Sequence, residues 1–139
     1  MEKEITPYEQ ALALKELGFN RRTFAQYNTH QGNEWILTFD LSGEGQYPNN
    51  SSACVAPLYQ QAFRWFREKY KLFATICHDH RNINDVTPYF YMIDDCPSLN
   101  YKVYRTQEDV YIQKTLVYKT YEEAELECLK KLIEIVKNK

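Results

Sequence analysis

Apolar positions along the chain follow two rhythms. Three segments carry them at the three-and-four spacing of a helix, and the stretches between are short, β-branched or aromatic, and bounded by turn residues. In the first helical segment Ala11, Leu14 and Leu17 form a stripe. Thr6 as N-cap, Pro7 at the first helical position and Glu9 three residues on predict a capping box. Gly18 suits the left-handed position that ends such a helix, with Phe19 folding back behind it. The last segment repeats the device with Thr120 and Glu123, then places Leu129, Leu132, Ile133 and Val136 at core spacing. Its acidic first turn, Glu122, Glu123 and Glu125, and its basic end, Lys137 and Lys139, both suit the helix dipole. The central segment is predicted from Pro57 to about Tyr70, with Tyr59, Ala62, Phe63, Phe66 and Tyr70 on one face.

Strands are expected at Phe24 to Asn28, Glu34 to Leu41, Leu72 to His78, Tyr89 to Asp94, Tyr101 to Tyr104 and Val110 to Tyr118. The order is α-β-β-α-β-β-β(β)-α. Consecutive strands with short turns predict an α+β fold: a single domain with a mainly antiparallel sheet of about five or six strands and three helices. The irregular stretch from Ser42 to Ala53 is read as a long flexible loop, a slack connection or a lid.

Composition narrows the classes. At 139 residues the chain fits one core, and 44% hydrophobic with 15% aromatic content excludes global disorder. A net charge of −2, from 17 basic and 19 acidic residues, lacks the basic field of a nucleic-acid binder, so such a site would have to be a local patch. The charged start MEKEITPYEQ is unlike a signal peptide, and no stretch approaches a bilayer span, so the expectation is a soluble cytoplasmic protein with no membrane partner. Cys54, Cys77, Cys96 and Cys128 are scattered, without a C-x-x-C pair, and are expected as reduced thiols.

The helical phrases YEQALALKELGF, APLYQQAFRWFREKYKL and TYEEAELECLKKLIEIVK resemble a family of small proteins encoded by bacteriophages and mobile elements of gut Bacteroides-type bacteria. The resemblance covers about a third of the chain. It implies a phage or prophage accessory protein acting in the bacterial cytoplasm, and it assigns no catalytic residue, ligand or activity.

One stretch looks like chemistry: Ile76-Cys77-His78-Asp79-His80. If it is a strand, its alternation puts His78 and His80 on one side and Cys77 with Asp79 on the other. The two histidines are then half a metal site that needs a third ligand from elsewhere, and Cys77 is badly aimed to use His78 as a base. Asp94-Asp95 precedes a turn, where aspartate commonly bonds backbone amides. No phosphate-binding, dinucleotide-binding, serine-hydrolase or zinc-protease motif occurs.

Arg64, Arg67 and Lys71 fall at i, i+3 and i+7 of the central helix, a pattern suited to phosphate, with tyrosines available to stack on bases. The expectation is a protein without a cofactor that binds another protein through a tyrosine-rich surface, and the resemblance implies that this partner is a host or phage protein. The alternative is a nucleotide or nucleic-acid binder at Arg64, Arg67 and Lys71; the weaker alternative is a metal-dependent enzyme at His78 and His80. Self-association is compatible with the aromatic content.

Overall fold

Gly18 ends the first helix in the way its position predicts. The computed structural model of the chain describes residues 2–29, 35–40, 53–78, 89–95, 102–105 and 118–139. Helix α1, Tyr8–Glu16, closes with Gly18 at φ 84°, where glycine alone escapes the Cβ clash. The Phe19 amide donates to the Leu14 carbonyl at 2.9 Å and the Gly18 amide to that of Lys15 at 3.0 Å, the paired bonds of a Schellman ending. Phe19 is buried, its ring 5.5 Å from that of Trp65.

The start of α1 departs from expectation. Thr6 does not cap it: Pro7 occupies the cap position with no side-chain bond, and the Thr6 hydroxyl is buried without a hydrogen-bond partner. Tertiary pairing overrides the local capping pattern. Ile5 bridges to Leu58, the Thr6 amide donates to the Pro57 carbonyl at 2.9 Å, and the Thr6 carbonyl accepts from the Tyr27 hydroxyl at 2.9 Å. Thr6 is thus held as extended backbone and its side chain cannot swing onto the helix.

The chain divides into two compact units, Met1–Trp65 and Phe66–Lys139, with the boundary inside helix α2, Tyr59–Tyr70. The first unit holds strands β1, Ala25–Thr29, β2, Trp35–Phe39, and β3, Ala53–Val55, in an antiparallel sheet of order β2-β1-β3. Its core gathers Ile5, Ala25 and Ala56, with Phe24, Tyr27, Leu37 and Leu58 packed against them. Buried β3 lies against α1, and Lys15 Nζ reaches the Ala53 carbonyl at 2.9 Å.

The second unit holds the antiparallel meander β4, Leu72–His78, β5, Tyr89–Asp95, and β6, Lys102–Arg105, with helix α3, Tyr121–Lys137, packed on β4 and β5. Thr120 caps α3 as predicted, accepting from the Glu123 amide at 3.2 Å; Glu123 reaches back one residue further than a standard box, to the Lys119 amide at 3.1 Å. Cys128, Leu129, Leu132 and Ile133 are buried along the face toward the sheet.

The α+β class therefore holds, with the described strands in two three-stranded sheets where one sheet of about five or six was expected. Helix α2 interrupts the run of strands, and β3 pairs back with β1 at the end of the stretch read as a loop. The predicted loop otherwise lies outside the described residues, as does the Val110 to Tyr118 strand apart from Tyr118, which bridges to Tyr89. Helix α2 begins at Tyr59, two residues later than predicted, because Leu58 is still engaged with Ile5; Gln61 Oε1 accepts from the Leu58 amide at 3.0 Å and closes the first turn. Among the described residues no helix is long and apolar enough to cross a membrane.

Candidate functional site

Arg64 and Arg67 are both exposed on α2, three residues apart. Lys71 does not extend their face. The helix ends at Tyr70, and Lys71 turns into the left-handed region at φ 59°, unusual for a residue with a Cβ. Its ammonium donates to the Glu68 carbonyl at 3.1 Å, satisfying one of the last carbonyls of α2. The i+7 spacing is therefore broken by the helix end, and Lys71 has a capping task of its own.

The ICHDH stretch resolves in its first three residues. Strand β4 includes Ile76, Cys77 and His78, and the register pairs Cys77 with Phe90 and His78 with Tyr89, so the two side chains leave opposite faces. The His78 ring is exposed and meets the Tyr89 ring edge-on at 4.9 Å; Tyr89 in turn meets Tyr121 edge-on at 6.0 Å. His80, like Asp79, lies outside the described residues. Among the described residues no three His, Cys, Asp or Glu side chains gather as a metal would require.

Burial, then the nearby Asp94 carboxylate, pushes the Cys77 thiol above its ordinary pKa, the reverse of what a nucleophile needs. Burial does the same to Cys54, with the Lys15 ammonium pulling the other way. Cys128 is fully buried and raised furthest, by desolvation and then by Glu125. In native protein at neutral pH, Cys54 and Cys128 should alkylate at least about tenfold more slowly than half-exposed Cys77, since access and thiolate fraction both set the rate. Peptide-level mass spectrometry after brief iodoacetamide treatment reads the order directly, and fast labelling of Cys128 would overturn this account of its burial.

A feature the sequence reading missed stands out in the first unit. Strand β2 exposes Trp35 at 38%, Ile36 at 44% and Phe39 at 37% within five residues, and among the described residues it lies at the edge of its sheet. Single exposed apolar residues are ordinary, but here Trp35 and Phe39 share one face of a short strand and Ile36 stands on the other, so both faces carry exposed apolar side chains. The indole of Trp35 lies on the Tyr8 ring at 4.2 Å and 25°, and Tyr8 is braced edge-on by Tyr27 at 5.5 Å. At the other end the rings of Phe39 and Phe24 stack at 6.2 Å. Leu37, between them on the same face, packs on the core. The two exposed rings are thus held in place by their aromatic neighbours.

Most of the tyrosines whose burial is described are engaged with other rings. Tyr59 and Tyr91 are buried, while Tyr8, Tyr27, Tyr70, Tyr89 and Tyr118 are half-buried, and each of these makes a ring contact. Tyr121, at 46%, is broadly exposed. Tyrosine mainly builds the aromatic packing in both units, and the open apolar surface of β2 is tryptophan, isoleucine and phenylalanine. The spacing of WILTF gave no hint of this, because a run apolar on both faces equally suits a covered strand. Comparison with protein-family models, with curated proteins and with solved structures gave no match to this chain.

Proposed function

We propose that the protein is a non-enzymatic binding module that captures another protein through the exposed apolar edge of its first unit, centred on Trp35, Ile36 and Phe39. In the setting implied by the helical phrases, the partner is a host or phage protein. The observation that carries the reading is an indole 38% exposed yet stacked at 4.2 Å on a braced tyrosine. Binding hot spots favour such rigid aromatic anchors, because little side-chain entropy remains to be lost on association.

The test is affinity capture from bacterial lysate with wild-type protein and a Trp35→Ala/Ile36→Ala double variant, each checked for folding by circular dichroism. Loss of an anchor pair of this kind costs about 2 kcal/mol or more, a weakening of roughly thirtyfold. The expected result is one protein retained by the wild type at moderate salt and lost by the double variant. Capture indifferent to the double variant sinks the proposal. Capture of nucleic acid that collapses between low and moderate salt also sinks it, and points to Arg64 and Arg67 on α2.

A further inference from the structure

We infer that residues 2–6 form a strap with two positions: docked against Pro57 and Leu58, as in this structure, and released, with Thr6 capping α1 and the hold on Trp35 loosened. The significance of Trp35 rests on the protein-binding reading above; the strap itself does not.

Two sets of bonds compete for Thr6. Docked, its amide donates to the Pro57 carbonyl at 2.9 Å, its carbonyl accepts from the Tyr27 hydroxyl at 2.9 Å, and Ile5 beside it is buried at the bridge to Leu58. The same docking leaves the Thr6 hydroxyl, 0% exposed, without a partner, and leaves α1 without a side-chain cap. The sequence Thr6-Pro7-Tyr8-Glu9 meets both needs once Thr6 is the cap residue: its hydroxyl accepts from the Glu9 amide, and the Glu9 carboxylate accepts from the Thr6 amide. That amide serves Pro57 or Glu9, and not both.

One torsion separates the two positions. Pro7 has φ −59°, already helical, and ψ 157°, which is extended. Turning that ψ into the helical range puts proline at the first position of α1, where it is favoured, and swings the residues before it off Pro57. The two positions are comparable in free energy. Burial of an isoleucine favours docking by roughly ten- to a hundredfold, whereas an orphaned buried hydroxyl and a missing cap each give back about fivefold or more. The docked form is the main one and the released form a reachable minority.

Tyr27 carries the strap's position to the proposed surface. Its hydroxyl is tied to Thr6, its ring braces Tyr8 edge-on at 5.5 Å, and Tyr8, in the first turn of α1, stacks on Trp35 at 4.2 Å. Release removes the tie on Tyr27 and rebuilds the turn that carries Tyr8, so the docked form is the one that holds Trp35 rigidly.

The test is amide hydrogen exchange of the full chain by NMR, which needs no partner. Ile5→Ala should lower protection of the Thr6 amide about tenfold or more and raise that of the Glu9 amide, the reciprocal change that capping demands. Thr6→Val, which neither caps nor buries a hydroxyl, should slow exchange at residue 6 about tenfold after correction for its intrinsic rate. It removes no buried apolar group, so it decides the matter even where Ile5→Ala fails to fold. The Trp35 indole resonances of wild type and both variants should fall on one line, ordered by protection at residue 6. Unchanged or faster exchange at residue 6 in Thr6→Val, or lost Thr6 protection in Ile5→Ala without a gain at Glu9, overturns the strap. Trp35 positions that do not line up overturn its reach to the surface. Failure here is distinct from failure of the broader reading: a lysate protein lost with Trp35→Ala/Ile36→Ala, beside unchanged exchange in Thr6→Val, leaves the binding surface standing and removes only the strap.

Discussion

Replacing Trp65 with alanine should destabilise the first unit by about 3–5 kcal/mol, the range for deleting a buried tryptophan side chain. Trp65 is 2% exposed and lies among the largest fully buried side chains of the protein. Its ring contact with Phe19, at 5.5 Å and 60°, ties α2 to the residue that closes α1, so the loss extends beyond transferred area. Without the indole, Phe19 loses the ring it packs on, and the Gly18 turn that presents it becomes easier to fray. Urea unfolding of Trp65→Ala, Phe19→Ala and the double variant gives the coupling, expected at about 0.5–1.5 kcal/mol beyond additivity. Strict additivity would mean that the two rings are merely neighbours. The consequence reaches the proposed binding surface, because Tyr8, which braces Trp35, sits in the first turn of the same α1.

Local rules in the sequence were enough wherever the structure uses them locally. Gly18 with Phe19, and Thr120 with Glu123, satisfy backbone groups within a few residues of themselves, so their spacing alone predicts the bonds that form. Strand β4 covers the Leu72 to His78 stretch that its alternation predicts. Thr6 shows the limit: Thr-Pro-x-Glu is a sound helix start, yet pairing of Ile5 with Leu58 decides what Thr6 does. Strand β3 was hidden for the related reason that three residues carry no period, and only pairing with β1 makes them a strand.

The candidate site was the least legible part. Nothing in WILTF distinguishes a central strand from an edge, and exposure of Trp35, Ile36 and Phe39 follows from the sheet order β2-β1-β3. The residue types that drew notice were His78 with His80 and Arg64 with Arg67 and Lys71: His80 lies outside the described residues, and Lys71 falls just past the end of α2. Proximity in sequence favoured them; the fold placed the open apolar surface elsewhere in the chain.

Alkaline pH should destabilise the second unit steeply, through groups that hold their protons in the fold. Tyr91 is 7% exposed and its phenol is pushed well above the ordinary value, by burial first, then by Tyr118, Cys128, Glu127 and Glu134. Cys128, fully buried on the facing helix α3, is raised by burial and by Glu125. Both folded values exceed the unfolded ones, so the unfolded chain gives up protons that the native state keeps. Stability is therefore full below the ordinary thiol and phenol values of 9.0 and 10.0 and falls as pH rises through and beyond them. Each such group tilts the balance by about 1.4 kcal/mol per pH unit while only the unfolded chain is ionised. Tyr118 and Tyr121, also raised by burial, tilt it the same way. Urea midpoints measured between about pH 8 and pH 11 should drop in wild type, and Tyr91→Phe and Cys128→Ala should each flatten the alkaline limb. Tyr91→Phe loses its hydroxyl at every pH, so the slope, and not the absolute stability, carries the result. An unchanged slope in both variants would mean that these groups ionise in the native unit, and that the packing of α3 on β5 is looser than their burial implies.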